Sequence, residues 1–224
     1  MCNSSLKVGA VVPAGGQGER FGKKKQFKLL GQRSLLFYTL TSFLECDDIA
    51  EIVVVIPEED LEIISRKLAS FTSAKPVKTV AGGARRQDSV LNGCRALSKN
   101  VELITIHDAV RPFVTPELIS ATISGCSKAD GCIAALPSKD TVKKVSENYI
   151  QRTIDRNSIW LAQTPQTFHK DILINALQQD MVATDEAAMV EATGGMVVVT
   201  EGFVSNFKIT TSEDWQLAEN IVND

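Results

Sequence analysis

The sequence predicts an α/β fold: a Rossmann-like, mostly parallel sheet with helices on both faces, carrying a β-hairpin arm. Three observations predict it. Short runs rich in Val and Ile recur along the chain, segments of helical period separate them, and the alternation breaks after residue 137. The runs are apolar nearly throughout rather than at every second residue, as expected of strands covered on both faces.

In chain order, the strands are read at KVGAVVP (7–13), EIVVVIP (51–57), VKTVAG (77–82), ELITIHDA (102–109) and GCIAALP (131–137). Between them Leu61, Ile64, Leu68 and Phe71 repeat at helical spacing, as do Val90, Cys94 and Leu97. TPELISATI opens a helix with Thr115 as N-cap and Pro116 at the first helical position, where a missing N–H loses no bond. Strand–helix–strand units of this kind close a parallel sheet. Residues 138–157 differ: two alternating runs, 141–146 and 149–154, flank the turn SEN and read as a hairpin with too few apolar residues to pack on itself. An isolated hairpin is marginal in water, so this arm is expected to lie against something else, such as another subunit. Helices at 170–180 and 184–193, the strand MVVVTEG and a last helix at 212–222 complete the chain. With no internal repeat or low-complexity tract, residues 1–224 read as a single domain with an arm.

A chain of 224 residues is long enough to bury a sizeable core. Its 27 acidic and 24 basic residues leave a net charge of −3, which argues against a nucleic-acid or membrane-surface partner. Cys2, Cys46, Cys94, Cys126 and Cys132 are odd in number, scattered and without a C-x-x-C spacing, so they are expected as reduced, buried thiols. The start of the chain lacks a signal-peptide layout, and no apolar stretch reaches membrane-spanning length; a cytoplasmic protein is expected.

Against that balanced background one cluster of cations stands out. In PAGGQGERFGKKKQFK (13–28), Gly15, Gly16 and Gly18 precede Arg20, Lys23, Lys24, Lys25 and Lys28. A glycine-rich turn leaving a first strand suits phosphate, because glycine lets the backbone approach closely and its N–H groups face oxyanions. Two familiar phosphate fingerprints fail here. The dinucleotide pattern needs glycine where Phe21 stands, and the Walker pattern is broken at Gln17 and Lys24.

PAGGQGERF followed by Lys25-Gln26-Phe27 resembles nucleotidyltransferases that couple a nucleoside triphosphate to a sugar or polyol phosphate. More narrowly, it resembles the 2-C-methyl-D-erythritol 4-phosphate cytidylyltransferase family of the non-mevalonate isoprenoid pathway. The likeness continues through AGGARRQDSV (81–90), HDAVRPF (107–113), KDTVK (139–143), TIDRNSIWLAQTPQTF (153–168), TDEA (184–187) and NFKIT (206–210). The chain departs from the family in having a shorter loop after Arg20 and Lys24 where a Pro commonly precedes the Lys-Gln pair. Lys25 is favoured over Lys23 and Lys24 as the site cation because Gln26-Phe27 follows it.

The reaction this resemblance implies is attack of a phosphate oxygen of the sugar alcohol on the α-phosphorus of CTP, expelling pyrophosphate. The nucleophile is already an anion, so the difficulty is repulsion and charge build-up, which fixed cations and Mg²⁺ answer. The resemblance assigns transition-state stabilisation to Arg20 and Lys25, and the grip on the acceptor phosphate to Arg156 and Lys208. It also implies a homodimer in which Thr141 and Arg156 of the arm enter the partner's site, while Lys208 serves its own.

Nucleotide contacts are expected from Pro13, Ala14, Gly15, Gly16 and Gly18 of the turn, and from Gly82, Gly83 and Ser89, which can read the cytosine edge. Asp108, at the end of the fourth strand run, can meet a ribose hydroxyl or the metal, with Ala109 beside it and Arg111 in support. The metal's ligands are not readable. His107 reads as a packed strand residue rather than a base, Asp185 and Glu186 as helix-start acids, and Trp160 and Trp215 as packing residues. Two rival readings stand beside this one. A cytidylyltransferase for another polyol phosphate, such as ribitol 5-phosphate, is disfavoured by TIDRNSIW; a non-catalytic regulatory module is disfavoured by Arg20, Lys25, Arg156 and Lys208 occurring together.

Overall fold

The structure, a computed structural model, describes residues 6–16, 25–69 and 75–223. The chain enters with β1 (Val8–Pro13), whose first five residues are buried as its unbroken apolar run demands. A short 3-10 turn, Lys25–Phe27, leads into a two-residue ladder, β2 (Leu29–Leu30) and β3 (Arg33–Ser34), and then α1 (Leu35–Glu45). β4 (Ile49–Ile56), α2 (Leu61–Ala69), β5 (Val77–Ala81), α3 (Arg86–Ala96) and β6 (Leu103–Ile106) follow in strict alternation. After α4 (Pro116–Gly125), capped by the Thr115 side chain accepting from Leu118 N–H, comes β7 (Gly131–Pro137). The arm is β8 (Val142–Ser146) and β9 (Tyr149–Ile154). β10 (Trp160–His169), α5 (Lys170–Leu177), α6 (Glu186–Ala192), β11 (Val197–Glu201) and α7 (Ser212–Asn223) complete the order.

Seven strands form one sheet in the order β11-β7-β10-β6-β1-β4-β5. Six run parallel; β10 alone is antiparallel to both its neighbours. From β1 the chain steps outward through β4 to β5, then returns to place β6 on the other side of β1. The winding reverses between β1 and β6, and a crevice opens beyond the carboxyl ends of those two strands.

Successive strand residues face opposite layers. Ala10 and Val12 of β1 join Leu36 and Leu40 of α1, Ile64 of α2 and Ile119 of α4 in one buried cluster. Val11 joins Val90 and Cys94 of α3, Leu173 of α5 and Val190 of α6 in the other. The contact of α3 on the sheet is close enough to need Gly93, since a Cβ there would lie 2.4 Å from Val11 and 2.8 Å from Val55. Cys46, Cys94, Cys126 and Cys132 are buried free thiols, as expected; Cys2 lies outside the described residues.

The arm turns at Glu147 and Asn148, both with positive φ (49° and 67°), the conformation that matches a two-residue hairpin loop to strand twist. Val145, Tyr149 and Ile150 are exposed along it. Trp160, expected to pack, is 40% exposed: β10 begins there, beside the arm, paired with Pro137 at the last residue of β7. Trp215 does pack: it is buried, donates to Glu219 and lies under the Lys28 ammonium.

Candidate functional site

A cleft of about 610 Å³ lies at the reversal point. Its walls are the turn after β1 (Pro13, Ala14, Gly15, Gly16), the 3-10 turn (Lys25, Gln26), the entry to α3 (Gly83 to Arg86, and Ser89), Asp108 to Val110 after β6, and Lys208 with Thr210. Five separate stretches of sequence thus meet at one place. Every nucleotide-contact residue named from sequence lines the cleft except Gly82, Arg111 and the undescribed Gly18. Gly82 lies directly behind the wall, its N–H donating to the Ile56 carbonyl at 2.8 Å. Arg20, Lys23 and Lys24 also lie outside the described residues. Thr141 and Arg156 are exposed on or beside the arm, where Arg156 donates to the Lys139 carbonyl at 2.6 Å, and neither lines this chain's own cleft.

Asp108 is the electrostatic centre. Its Oδ2 is 2.9 Å from the Lys208 ammonium and 3.6 Å from Arg111 Nε, and its Oδ1 is 3.3 Å from Arg86. Burial pushes the carboxyl's pKa up, but Lys208, Arg86 and Arg111 outweigh it and hold the group below the usual carboxylate range. The segment carrying Lys208 is tied down from behind. Arg111 donates to the Asn206 carbonyl at 2.9 Å, Asn206 donates to the Thr164 carbonyl at 2.8 Å, and Ile209 N–H pairs with Val110 at 2.9 Å. Arg111 thus ties the Lys208 segment to Asp108, and burial lowers the pKa of its guanidinium.

Arg86 was not singled out from sequence, and it links two acids. Besides Asp108 it pairs with Glu186, which is fully buried. Glu186 does stand in the first turn of α6, but burial rather than the helix end governs it: the carboxyl is raised, with Arg86 only partly offsetting the cost. Asp185 behaves as a helix-start acid, accepting from Ala188 N–H at 3.0 Å. At the α3 entry, Ser89 Oγ accepts from Gly83 N–H (3.0 Å) and donates to the Arg85 carbonyl (3.1 Å), so it shapes the loop as well as facing the cleft.

His107 is completely buried beneath this centre. Nε2–H donates to the Arg111 carbonyl (3.1 Å), and Nδ1 accepts from the Thr164 hydroxyl (3.0 Å), which itself accepts from Asp108 N–H. That is a neutral imidazole, and burial pushes its pKa down to about 4. The unfolded chain takes up a proton near pH 6.5 while the folded chain does not until about 4, so stability is full above 6.5 and is lost as pH falls through that window. Lowering the pH from 7 to 5 should cost about 2 kcal/mol in urea unfolding through this group. A His107 that titrates near 6.5 in the folded protein, followed by NMR, would remove the basis for that loss.

Among the described residues no group of three His, Cys, Asp or Glu side chains is placed to hold a metal. Asp108 is the only carboxylate among the described residues lining the cleft. That donor set fits an ion held mainly by phosphate oxygens and water, as Mg²⁺ at nucleotides usually is. No described helix is long and apolar enough to cross a membrane.

Comparison with known proteins agrees with the geometry. The family model described as IspD, 2-C-methyl-D-erythritol 4-phosphate cytidylyltransferase, matches residues 8–224. A protein of that name from Syntrophus aciditrophicus is 42% identical over 221 residues, covering 95% of this chain and 94% of its own. One from Halalkalibacterium halodurans is 37% identical, covering 97% of each. Among solved structures, the 4-diphosphocytidyl-2C-methyl-D-erythritol synthase of Anaerococcus prevotii superposes with a TM-score of 0.87 at 31% identity, over 98% of this chain and 97% of that one.

Proposed function

This chain belongs to the 2-C-methyl-D-erythritol 4-phosphate cytidylyltransferase family, and from that premise we propose how its cleft works. It transfers the cytidylyl group of CTP to 2-C-methyl-D-erythritol 4-phosphate, giving 4-diphosphocytidyl-2-C-methyl-D-erythritol and pyrophosphate. One observation carries the assignment of roles: the glycine turn, Lys25 and the Lys208–Asp108 pair open onto the same cleft at the reversal of the sheet. The triphosphate lies along Gly15 and Gly16, where an added Cβ would meet nothing within 4 Å, and Lys25, with Arg20, neutralises charge that grows on the α-phosphoryl oxygens.

Lys208 is held 2.9 Å from Asp108 and at the cleft wall, so an arriving acceptor phosphate competes with Asp108 for its ammonium. Asp108 keeps Arg86 and Arg111 through that exchange. A magnesium ion would be held by the triphosphate oxygens with Asp108 beside it, and when bound it supplies further neutralisation of phosphate charge. Arg156 and Thr141 complete the acceptor subsite from the partner's arm in a homodimer; the exposed Val145, Tyr149 and Ile150 support an interface there. Four buried free thiols support a reducing, cytoplasmic setting.

CTP with Mg²⁺ should raise the melting temperature more than ATP, GTP or UTP does, because only the ligand the folded state binds stabilises it. Equal shifts for all four nucleotides would end the cytidylyl assignment. Pyrophosphate release on adding 2-C-methyl-D-erythritol 4-phosphate, and not ribitol 5-phosphate, fixes the acceptor.

A further inference from the structure

We propose that Gln26 is a positioning residue that sets the glycine turn for the phosphates of the nucleotide; the proposal rests on the reading of the cleft given above. Gln26 is 2% exposed, in the 3-10 turn between Lys25 and Phe27. Its Nε2 donates to two carbonyls of the turn, Ala14 at 2.6 Å and Gly16 at 3.1 Å. On its other side Ala14 donates its N–H to the Val55 carbonyl of β4 at 2.7 Å. Ala14 is thus clamped between the sheet and Gln26, and the carbonyls on either side of Gly15 are both drawn to one amide.

Two consequences follow for an anion. Carbonyl oxygens facing the cleft would repel a triphosphate, and glycine peptides reorient cheaply because no Cβ restrains them. In a trans peptide the C=O and the following N–H point in opposite directions, so fixing the Ala14 carbonyl on Gln26 turns the Gly15 N–H away from Gln26. The clamp also belongs to the same short turn as Lys25, so it fixes the distance between the cation and the loop it works with. Gln26 touches backbone here, not the reacting atoms; its effect is orientation.

The test compares wild type with Gln26→Met, which keeps bulk and removes the donor, and Gln26→Glu, which keeps shape and presents an acceptor to two carbonyls. Both should lose roughly 10- to 100-fold in kcat/KM for CTP, the scale of a misplaced catalytic frame. KM for the acceptor should stay within about twofold, and melting temperatures near wild type, because orientation of one loop is lost rather than the fold. If Gln26→Met does not fold, Gln26→Glu decides by the same criteria. A folded variant with wild-type kcat/KM for CTP overturns the proposal, as does a parallel fall for both substrates with a collapsed melting temperature. An inactive wild-type protein would instead overturn the reading of the cleft itself, so the two failures are distinguishable.

Discussion

Lys208→Ala and Arg156→Ala proteins, each nearly inactive alone, should regain activity when mixed under conditions that exchange subunits. Lys208 lines its own chain's cleft against Asp108, whereas Arg156 stands exposed beside the arm, bonded to Lys139 and away from that cleft. If the arm serves the partner, a mixed dimer has one site lacking both cations and one site with both. Random exchange makes half the dimers mixed, so recovery should approach about a quarter of the wild-type rate in a symmetric two-fold assembly. No recovery from demonstrated mixed dimers would put both cations in one subunit's site. A protein that is monomeric in solution would remove the arrangement altogether.

Lys25→Ala should lower kcat by roughly 10²-fold or more, the cost of deleting a preorganised charge that meets developing negative charge, with a smaller effect on CTP affinity. Lys25 lies on the cleft wall in the turn that follows the glycines. Arg20→Ala should lose a comparable factor. Lys23 and Lys24 precede Lys25 in the same basic run, so Lys23→Ala and Lys24→Ala are the informative controls. Wild-type rates in Lys25→Ala, with inactivity in either neighbour, would shift the cation by one or two positions along the loop.

The residues most legible in the sequence were those whose physics is local. β1 and β4 are covered on both faces and so carry continuous apolar runs; the glycine turn and Asp108 follow strand ends, where the fold class itself places a ligand. β10 was not legible as a strand. Its centre, Gln163, Thr164, Gln166 and Thr167, is polar yet buried, and its polarity is satisfied by partners far away in sequence, such as the Thr105–Thr167 hydroxyl pair at 2.9 Å. Pro165 further masks it; the pairing with β7 is irregular between Ala162 and Gln166, which is where a sheet tolerates proline. Glu186 shows the same limit: its place at a helix start was readable, its burial against Arg86 was not, because that depends on which face α6 turns inward. Gln26 was visible as part of a motif, but its role needed the coordinates of two carbonyls ten and twelve residues away.

The position of β10 also bears on how the chain is made. It fills the gap between β6 and β7, two strands that come earlier in the sequence and have no direct pairing with each other. A ribosome that has released residues up to the arm has therefore released a four-stranded block, β6-β1-β4-β5, and β7 apart from it, with the β6 edge open near what will become the middle of the sheet. Such edges invite pairing with other chains until the missing strand arrives. Insertion of β10 also joins β6 to a segment about 60 residues downstream, a non-local pairing of the kind that slows folding. The nascent protein's most aggregation-prone interval thus falls late in synthesis, after the four-stranded block has emerged and before β10 can bridge it to β7.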